Sequence, residues 1–458
     1  MAPPAAVHPA TTPAAGQDNK AAAPATYVEP IDWTRLGSYS ATDPAGGRMK
    51  QILRNSSRYL IGPWYANTYK TYAPDGYLHL GGADERSVRL PAMTALSTAT
   101  ALKLGVYDPV TLPEDKATIR GSNLIRTIAA RHRANDSDTA TAWGGGWQTA
   151  LWAYYAGTAA WLMWDQLPTA DREKAVRMLA FEADRLCTGD DLHLVGTSGI
   201  QLFMTRRDGS VVTPGDTKAE ENSWSAAVLG LSAAMMPTHP SAPRWIERNH
   251  ELLLAATAGP ADLASTTPVN GINPSEWLRG TNIDDDGTLE NHGFLHPLYM
   301  VALDQSIYQG AIWALAGTCA PRAGLHNISR IYSALVDKDF GGRTIYTPGS
   351  ADIHYPEGND WGTRFPLYFG TFDLLVSLTG QDAGISPNAA TWEALHNQEQ
   401  LDMQARFTDG RTYANPGENS YHGAEQRIGV LAAQSYLTLF LYRGSAEQKV
   451  CWHDTVPA

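Results

Sequence analysis

Residues 147–186 read WQTALWAYYAGTAAWLMWDQLPTADREKAVRMLAFEADRL, and this stretch decides the fold class. Its first half carries apolar side chains at helical spacing, which predicts a buried helix. After a polar break, Thr169 can cap a second helix, because its hydroxyl oxygen accepts from backbone amides that the first turn leaves free. An apolar stripe then runs from Val176 to Leu186. The stretch therefore predicts two helices joined by a tight turn.

The same helical pattern recurs along most of the chain. Apolar stripes predict further helices at Leu90–Leu104, Ile119–Arg133, Ser223–Met236, Ala242–Ala256, Pro297–Ala316, His326–Val336, Phe365–Leu378, Thr391–Ala405 and Ala424–Tyr442. Short breaks rich in Gly, Pro and Asp separate these segments, so neighbouring helices can pack as hairpins. About a dozen helices without a strong repeat predict an all-α fold, an (α/α) toroid built as an incomplete barrel of helical hairpins. An open solenoid is the alternative, although solenoids usually show a clearer period.

One stretch departs from the helical pattern. Short strand-like runs flank Arg207-Asp208-Gly209, which is typical of a turn. We therefore expect a small β-hairpin near residues 193–213, lying over one mouth of the helical ring. Loops at such a mouth are where functional side chains usually lie.

The composition is that of a folded protein with a sizeable core. Of the 458 residues, 43% are apolar and 18% are charged, whereas a disordered chain has low hydrophobicity and high net charge. The length fits one large domain or two ordinary ones. We expect a disordered Ala/Pro-rich segment at residues 1–30 and a single toroid domain at residues 31–458.

Net charge and hydropathy exclude two classes of partner. The chain has 35 Lys and Arg against 47 Asp and Glu, a formal charge of −12. This balance argues against general binding to nucleic acid or to anionic membranes. No apolar run approaches the roughly 18 residues of a membrane span. We expect neither nucleic acid nor a membrane as a partner.

The cysteines and the N-terminal segment bear on localisation. Cys187, Cys319 and Cys451 form no disulfide framework and have no metal-ligand spacing, although one disulfide can form. The first residues lack the basic and apolar regions of an intact signal peptide. We expect a secreted protein whose signal peptide is absent from this chain, and a natural cytoplasmic tail is the alternative.

Two tryptophans flank a glycine run at Trp143-Gly144-Gly145-Gly146-Trp147. The glycines let a ligand approach the backbone closely, and indole faces stack on the apolar faces of sugars. Tryptophans in a helical protein are usually core residues. A sugar-binding platform and a core role both stay open here. The 14 Trp and 20 Tyr of the chain favour a carbohydrate cleft mildly.

Two polar clusters stand at predicted helix boundaries. Glu220-Glu221-Asn222-Ser223-Trp224 precedes an apolar helix, and on local grounds it indicates capping, with acids favourable at a helix start. The densest polar run is residues 282–293. Asn282, Asp284 and Asp286 resemble the opening of a calcium loop, although its closing Glu would fall at Gly293. No cofactor is expected to be required, and calcium at these three residues is an option.

The run at residues 282–293 has two further interpretations. A class II terpene cyclase uses Asp-x-Asp-Asp, but Asn282 occupies the first position here. Alternatively, Asp286-Gly287 is a turn that presents Glu290, Asn291 and His292 at the ring mouth. An Asn-His pair followed closely by His296 and Tyr299 favours this second interpretation.

The segment from Asp286 to His292, Asp-Gly-Thr-Leu-Glu-Asn-His, resembles the Asp-Gly-Ser-Phe-x-Gln-His segment of the hyaluronate and chondroitin lyases. In that family the His is catalytic and a catalytic Tyr follows, for which Tyr299 is the counterpart. Asn222 near Trp224 is similar to the family's Asn-Trp-Trp segment. The family's Arg has its loosest match at Gly341-Gly342-Arg343.

Three other patches extend the resemblance. Asn415-Pro416-Gly417-Glu418-Asn419 resembles the family's Asn-x-Glu-Asn stretch. Tyr355-Pro356-Glu357-Gly358 and Tyr368-Phe369-Gly370-Thr371 resemble segments of heparinase II/III-like proteins. The resemblance implies a toroid of helical hairpins that acts as a polysaccharide lyase on an acidic, uronic-acid-containing glycan.

The residue types suit β-elimination from a uronic acid. Asn222 can neutralise the C5 carboxylate with its amide donors. Tyr299 and His292 can serve as base and acid, and an arginine beside the phenol would favour its ionised form. Arg343 is the first candidate for this arginine and Arg364 the second. We expect substrate-binding roles for Trp143, Trp147, Trp224, Asn291, Tyr355, Glu357, Trp361, Arg364, Glu418 and His422.

Hydrolysis is the alternative chemistry on the same helical barrel. A glycoside hydrolase needs two carboxylates roughly 5–10 Å apart, for which the candidates are Asp285, Glu290, Glu357 and Asp360. A non-catalytic glycan-binding protein would show aromatic side chains without either set. Convergence of Asn, His, Tyr and Arg would indicate elimination, whereas two facing acids would indicate hydrolysis.

Overall fold

The computed structural model describes residues 24–138, 141–188, 202–444 and 449–454. Most of the expected disordered segment at residues 1–30 therefore lies outside the described residues. Within them the α-helices are α1 Trp33–Leu36, α2 Pro44–Tyr59, α3 Tyr65–Thr68, α4 Glu85–Lys103, α5 Glu114–Ala130, α6 Thr149–Leu162, α7 Thr169–Thr188, α8 Ala219–Met235, α9 Ala242–Ala256, α10 Pro274–Trp277, α11 Pro297–Val301, α12 Asp304–Ile307, α13 Gln309–Ala316, α14 Ile328–Val336, α15 Pro366–Thr379, α16 Ala389–Ala405 and α17 Ala424–Arg443.

Short elements complete the described chain. A π-helical stretch at Leu60–Trp64 joins α2 to α3, and 3-10 turns lie at Pro24–Tyr27, Trp164–Gln166, Pro260–Ala264 and Arg322–Leu325. The strands are β1 Thr205–Arg206, β2 Gly280–Thr281, β3 Glu290–Asn291, β4 Phe294–Leu295, β5 Ala320–Pro321 and β6 Trp452–His453. None of the described helices combines the length and the apolar composition needed to cross a bilayer.

The helices form a closed double ring. The inner ring runs through α4, α6, α8, the broken segment α11–α13, α15 and α17, and α17 contacts α4 again. The helices α2, α5, α7, α9 and α16 pack outside it as partners of neighbouring inner helices. This arrangement confirms the predicted all-α (α/α) toroid, and the contact between α17 and α4 excludes an open solenoid.

Inner and outer helices differ in sequence because they differ in surroundings. Every residue of α6 is buried, and a helix that is apolar on all sides needs protein around its whole circumference. The outer helix α9 instead presents Glu247 and Arg244 away from a buried stripe that includes Trp245. The two kinds of helix pack as hairpins, each of which buries the inner member.

A buried acid ties several hairpins together. Asp373 on α15 accepts hydrogen bonds from Tyr332 on α14 (2.9 Å) and from Tyr346 (2.8 Å), and it lies 2.6 Å from His396 Nδ1 on α16. All four side chains are buried. A buried hydrogen-bond network of this kind stabilises the fold only while every member keeps its partner.

We expect Asp373→Ala to lower the free energy of unfolding by about 3–5 kcal/mol, because it leaves two phenols and an imidazole buried without their acceptor. Asp402→Ala on α16 is the matched control, since Asp402 is exposed and accepts only from Gln398 nearby. Urea unfolding followed by circular dichroism measures both. Equal midpoints for the two variants would show that the network does not stabilise the ring.

The short strands lie in the connections between the helices. Thr205 pairs with Thr281 in an antiparallel β1–β2 ribbon and also forms a bridge to Val211 across the turn at Asp208-Gly209. The first strand of the expected hairpin, near residues 193–195, lies outside the described residues. In addition, β5 and β6 pair in parallel next to a disulfide between Cys319 and Cys451, while Cys187 is buried and free.

Candidate active site

A cavity of about 350 Å³ lies at the mouth of the ring where the inner helices begin. Its walls therefore come from helix starts and from the connections that lead into them, as expected for a toroid. The lining residues are Glu85, Arg89, Trp147, Gln148, Leu151, Glu220, Trp224, His292, Leu298, Tyr299, Ala302, Gln305, Trp361, Tyr368, Ser420, Tyr421, His422 and Arg427. Aromatic rings and a few ionisable groups thus share one concave surface.

A tight hairpin presents His292 to this cavity. The strands β3 and β4 are joined by His292 and Gly293, whose φ angles are 55° and 86°. Two positive φ angles are typical of a type I′ hairpin turn, in which Gly is unstrained but His is not. The turn is also anchored, because Gly293 N donates to Gly215 O at 2.8 Å. Such a strained residue is characteristic of a functional position.

His292 connects an acid to a phenol. Its Nδ1 lies 2.6 Å from Asp360 Oδ2, and its Nε2 lies 3.1 Å from the hydroxyl of Tyr299. These distances allow Nδ1 to donate to the carboxylate and Nε2 to accept from the phenol. The ring of Trp361 packs 5.3 Å from that of His292 and covers one side of the group. An imidazole oriented by a carboxylate is an arrangement that can accept a proton.

A second histidine faces the same carboxylate. The His296 side chain is fully buried, and neither of its ring nitrogens makes a hydrogen bond. Its Nε2 lies 3.4 Å from Asp360 Oδ1. Burial lowers the pKa of His296 to about 4, although Asp360 opposes the shift, so the ring is neutral. His292, His296 and Asp360 bring ligand atoms within 4.8 Å of one another, and they are the one potential metal-binding group found in the described ranges.

Two consecutive acids begin α8 and have different surroundings. Glu220 is 6% exposed and lies 3.4 Å from the Asn291 amide. Burial raises the pKa of Glu220 well above its usual range, and the neighbouring Glu221 raises it further. Glu221 instead accepts from Trp147 Nε1 at 3.0 Å and pairs with Lys218 at 3.2 Å. Placing neighbouring carboxyls in such different environments keeps one of them protonated, as general acid catalysis requires.

A third acid fixes the glycine run. The carboxylate of Glu182 accepts from Gly145 N at 2.7 Å and from Thr149 Oγ1 at 2.8 Å, and it lies 3.0 Å from His132 Nε2 and 2.6 Å from Arg185 Nε. Burial would raise its pKa, but Arg185 and His132 hold the pKa of Glu182 at about 2. Because the loop that carries Trp147 is bonded to this acid, Glu182 positions one wall of the cavity.

The low pKa of Glu182 predicts acid sensitivity. A pKa of about 2, against an ordinary 4.5, corresponds to a stability contribution of about 3 kcal/mol. It is fully present above the unfolded-state pKa and is lost as pH falls from about 4.5 towards 2. We expect Glu182→Gln to lower the melting temperature at neutral pH and to flatten its decline between those pH values. The control is Glu173→Gln on the same helix, and identical pH profiles for the two variants would contradict this role.

The cavity floor is a polar network inside the ring. Arg427 is buried and donates to Tyr155 Oη at 3.0 Å, while Asp304 lies 3.9 Å away. Burial raises the pKa of Asp304 to about 6, against the influence of Arg427. The other arginine of the cavity, Arg89, bonds to Gln148 and to the carbonyl of His422 and pairs with Glu85. A protein carboxylate therefore already lies near each of the two guanidinium groups.

Six of the residues predicted from the sequence meet at this cavity. They are Trp147, Trp224, His292, Tyr299, Trp361 and His422. Trp147 is 48% exposed, whereas Trp143 is 1% exposed and donates to Ile128 O at 2.8 Å. Trp143 is therefore a core residue that lines the adjoining groove, and a sugar platform stays a prediction for Trp147.

The other predicted binding residues lie behind or beside the cavity. Asn291 is buried, with its Oδ1 accepting from His292 N at 2.8 Å, and Glu357 accepts from Leu295 N at 2.7 Å, so both support the hairpin. Glu418 is bonded to Arg406, which holds the pKa of Glu418 at about 2. Arg364 is exposed and Tyr355 is half-buried, and neither lines the cavity.

The elimination machinery predicted from the lyase resemblance is not assembled. Asn222 is fully buried, and its amide donates to Leu202 O at 2.8 Å instead of facing the cavity. Arg343 is exposed and lies outside the lining. Burial raises the pKa of Tyr299 far above its usual range, and the nearby Glu220 and Asp216 side chains raise it further, which opposes the phenolate that a base would need.

The acidic run at residues 282–286 makes internal contacts. Asn282 Oδ1 accepts from Met204 N and from Lys218 N, at 3.0 and 3.1 Å. Asp286 pairs with Lys338 and also accepts from Thr288. Calcium at this run stays a prediction, and binding would require Asn282 and Asp286 to exchange these partners for the ion.

Sequence reasoning missed the acid with the most unusual environment. The position of Glu220 at a helix start indicates a capping acid. The neighbouring Trp224 and a second acid in the same turn are the features that could have indicated a binding site. Of the carboxylates considered for hydrolysis, Asp360 reaches the site through His292, whereas Asp285 and Glu290 are exposed and do not line the cavity. No local sequence pattern marks Tyr421 or Arg89 as a residue of the cavity.

Comparisons with known proteins are sparse. No protein-family model matches the chain, and no curated protein is similar to it in sequence. Two solved structures are similar, both of the α-1,6-mannanase GH76A of Salegentibacter sp. HEL1_6. One is an inactive variant in complex with α-1,6-mannotriose, at 12% identity, and the other is the enzyme alone, at 13%. In both cases the TM-score is 0.41, and the alignment covers 85% of this chain and 99% of that chain.

The predicted lyase identity is wrong. The similar structures are glycoside hydrolases and not polysaccharide lyases, and Asn222, Tyr299 and Arg343 do not form an elimination site. The resemblance misled because it rested on a short segment around His292, whose hairpin also suits other chemistry. The carbon–oxygen lyase activity and β-elimination predicted from the sequence are therefore replaced below by the alternative of hydrolysis.

Proposed function

We propose that this protein is a glycoside hydrolase. The observation that carries the proposal is the carboxyl of Glu220, which lies on the wall of an aromatic-lined cavity in surroundings that keep it protonated. A protonated carboxyl can give its proton to the glycosidic oxygen as the bond to the anomeric carbon breaks. General acid catalysis of this kind accelerates a reaction typically by about 10²–10⁴-fold.

The second catalytic group is the pair of Asp360 and His292. Hydrolysis needs a group that accepts a proton from the attacking water. The imidazole is held by Asp360 at 2.6 Å, and its Nε2, 3.1 Å from the Tyr299 hydroxyl, points to the phenol at the cavity wall. Asp360 and Glu220 both act electrostatically on Tyr299, so both carboxyls lie near this phenol. We propose that water bound beside Tyr299 loses its proton to this pair.

The aromatic side chains supply the binding surface for a sugar. Trp147 and Trp224 meet edge to face with their ring centres 6.0 Å apart, and Trp361 and Tyr421 pack 5.1 Å apart. Such rings bind the apolar faces of pyranoses by stacking. Glu85 and Asp304 already balance the charges of Arg89 and Arg427, which disfavours binding of a substrate carboxylate at either guanidinium. We therefore propose a neutral oligosaccharide or polysaccharide in place of the acidic glycan that the sequence favoured.

Secretion is the localisation that fits a polysaccharide substrate. The disulfide between Cys319 and Cys451 supports it, since disulfides persist mainly in oxidising compartments. Fractionation of the native host, with the protein assayed in the culture medium and in the cell extract, tests this localisation. Protein confined to the cell extract would contradict it.

The experiment that tests the function compares product chemistry across substrates. The purified protein is incubated with neutral polysaccharides, including α-1,6-mannan, and with uronic-acid polymers. We expect new reducing ends from a neutral polymer and no ultraviolet absorbance from an unsaturated uronate. Absorbance without new neutral products would contradict hydrolysis, and retention of glycans without any cleavage would indicate a binding protein.

A further inference from the structure

In the centre formed by His292, His296 and Asp360, the ring nitrogens of one buried histidine lack hydrogen bonds. His296 is fully buried with neither ring nitrogen bonded, although its Nε2 lies only 3.4 Å from an Asp360 oxygen. A buried polar group normally has a partner, and an orphan in a native site calls for an explanation. Here the unpaired nitrogen faces a carboxylate that a second histidine already contacts.

A divalent cation would satisfy all three side chains at once. Two imidazoles and one carboxylate are the protein ligands of many zinc sites that keep a position open for water. Calcium and magnesium prefer oxygen ligands, so two nitrogen donors favour a transition metal.

We propose that His292, His296 and Asp360 bind a divalent transition-metal ion, for which zinc is the appropriate probe. This inference rests on the geometry of the three side chains and not on the proposed function. With the ion bound, His292 and Asp360 would be its ligands, and water at its open position would be activated there in place of proton transfer to the Asp360–His292 pair.

The ligands can close around an ion without refolding. Their atoms lie within 4.8 Å of one another, whereas the ligand atoms of a tetrahedral zinc ion lie roughly 3.4 Å apart, given bonds of about 2.1 Å. The Asp360 side chain is 43% exposed, so rotation about its own bonds can supply part of the required shift. His296, which is buried at the start of α11, would stay fixed.

Tyr299 would hold the His292 ring in place on the ion. With its Nδ1 on the metal, His292 would carry its proton on Nε2, which lies 3.1 Å from the Tyr299 hydroxyl. Metal-bound histidines almost always donate their other nitrogen in this way, and the donor bond fixes the orientation of the ring. The open position of the ion would face the cavity.

Zinc binding tests the proposal directly. Untagged full-length protein is stripped with a chelator and titrated with zinc chloride by calorimetry, with metal analysis after dialysis. We expect one zinc per chain, and at least tenfold weaker binding in Asp360→Asn and in His296→Ala. Asp360→Asn keeps the test valid if loss of the buried histidine impairs folding. His79→Ala, at an exposed histidine outside the centre, is the control and should bind as the wild type does.

Two outcomes would overturn the proposal. One is the absence of stoichiometric zinc in the wild-type protein, and the other is undiminished zinc binding by Asp360→Asn. The metal site and the proposed function are tested separately, because Glu220→Gln should keep its zinc while losing hydrolysis. Zinc binding without any glycan cleavage by the wild type would retain the metal site and reject the hydrolase.

Discussion

Glu220→Gln should lower kcat for glycan hydrolysis by about 10²–10⁴-fold, the usual contribution of a general acid. The amide has the size of the protonated carboxyl and is also neutral, but it cannot transfer a proton to the leaving oxygen. Because Glu220 is buried and its raised pKa keeps it uncharged, the substitution should leave the melting temperature unchanged or raise it. Steady-state kinetics on the neutral polymer and a thermal melt measure the two effects.

The matched control is Glu290→Gln, at an exposed acid of β3 in the hairpin that carries His292. It should retain wild-type turnover. Since the folded-state pKa of Glu220 is raised, the acid is protonated below that value and activity should fall as pH rises through it. Turnover by Glu220→Gln within a few fold of the wild type would show that another group supplies the proton.

His292→Asn should lower kcat by at least about a hundredfold, because it removes the imidazole that Asp360 orients. Asparagine also suits the backbone conformation at this position. Position 292 has a φ of 55°, and asparagine tolerates this left-handed conformation better than other side chains that have a Cβ. We therefore expect the melting temperature to stay the same or to rise, so that activity and stability move in opposite directions.

The control for this prediction is His292→Ala, which removes the imidazole without favouring the turn. It should be as inactive as His292→Asn but less stable. If both variants keep wild-type turnover, Asp360 and His292 are not the proton acceptor, and the strained turn serves only to shape the mouth of the cavity.

The fold was predictable because helical burial leaves a local pattern. Apolar stripes such as that of α7 recur wherever a helix packs against the ring, and their number indicated a toroid. The sequence could not show that the ring closes, because the contact between α17 and α4 joins segments that are far apart in the chain. The pairing of Thr205 with Thr281 is non-local in the same way.

The site was predictable only in part, for a related reason. The resemblance to the lyase segment pointed to His292 and Tyr299, which are seven residues apart and lie in contact in the structure. It could not reveal that Glu220 is buried without a cation of its own, because that property arises from packing between distant segments. Likewise, the capping pattern around Asn222 gave no indication that its side-chain amide donates to the carbonyl of Leu202.

Hydrolysis in water enriched in oxygen-18 tests the central claim most directly. Hydrolysis attaches an oxygen from water to the anomeric carbon, whereas elimination breaks the bond on the other side and leaves the glycosidic oxygen in place. Mass spectrometry of early products should therefore show one heavy oxygen in each new reducing end. Unlabelled product kept in the same water for the same time corrects for exchange. New reducing ends that carry only light oxygen would contradict the account.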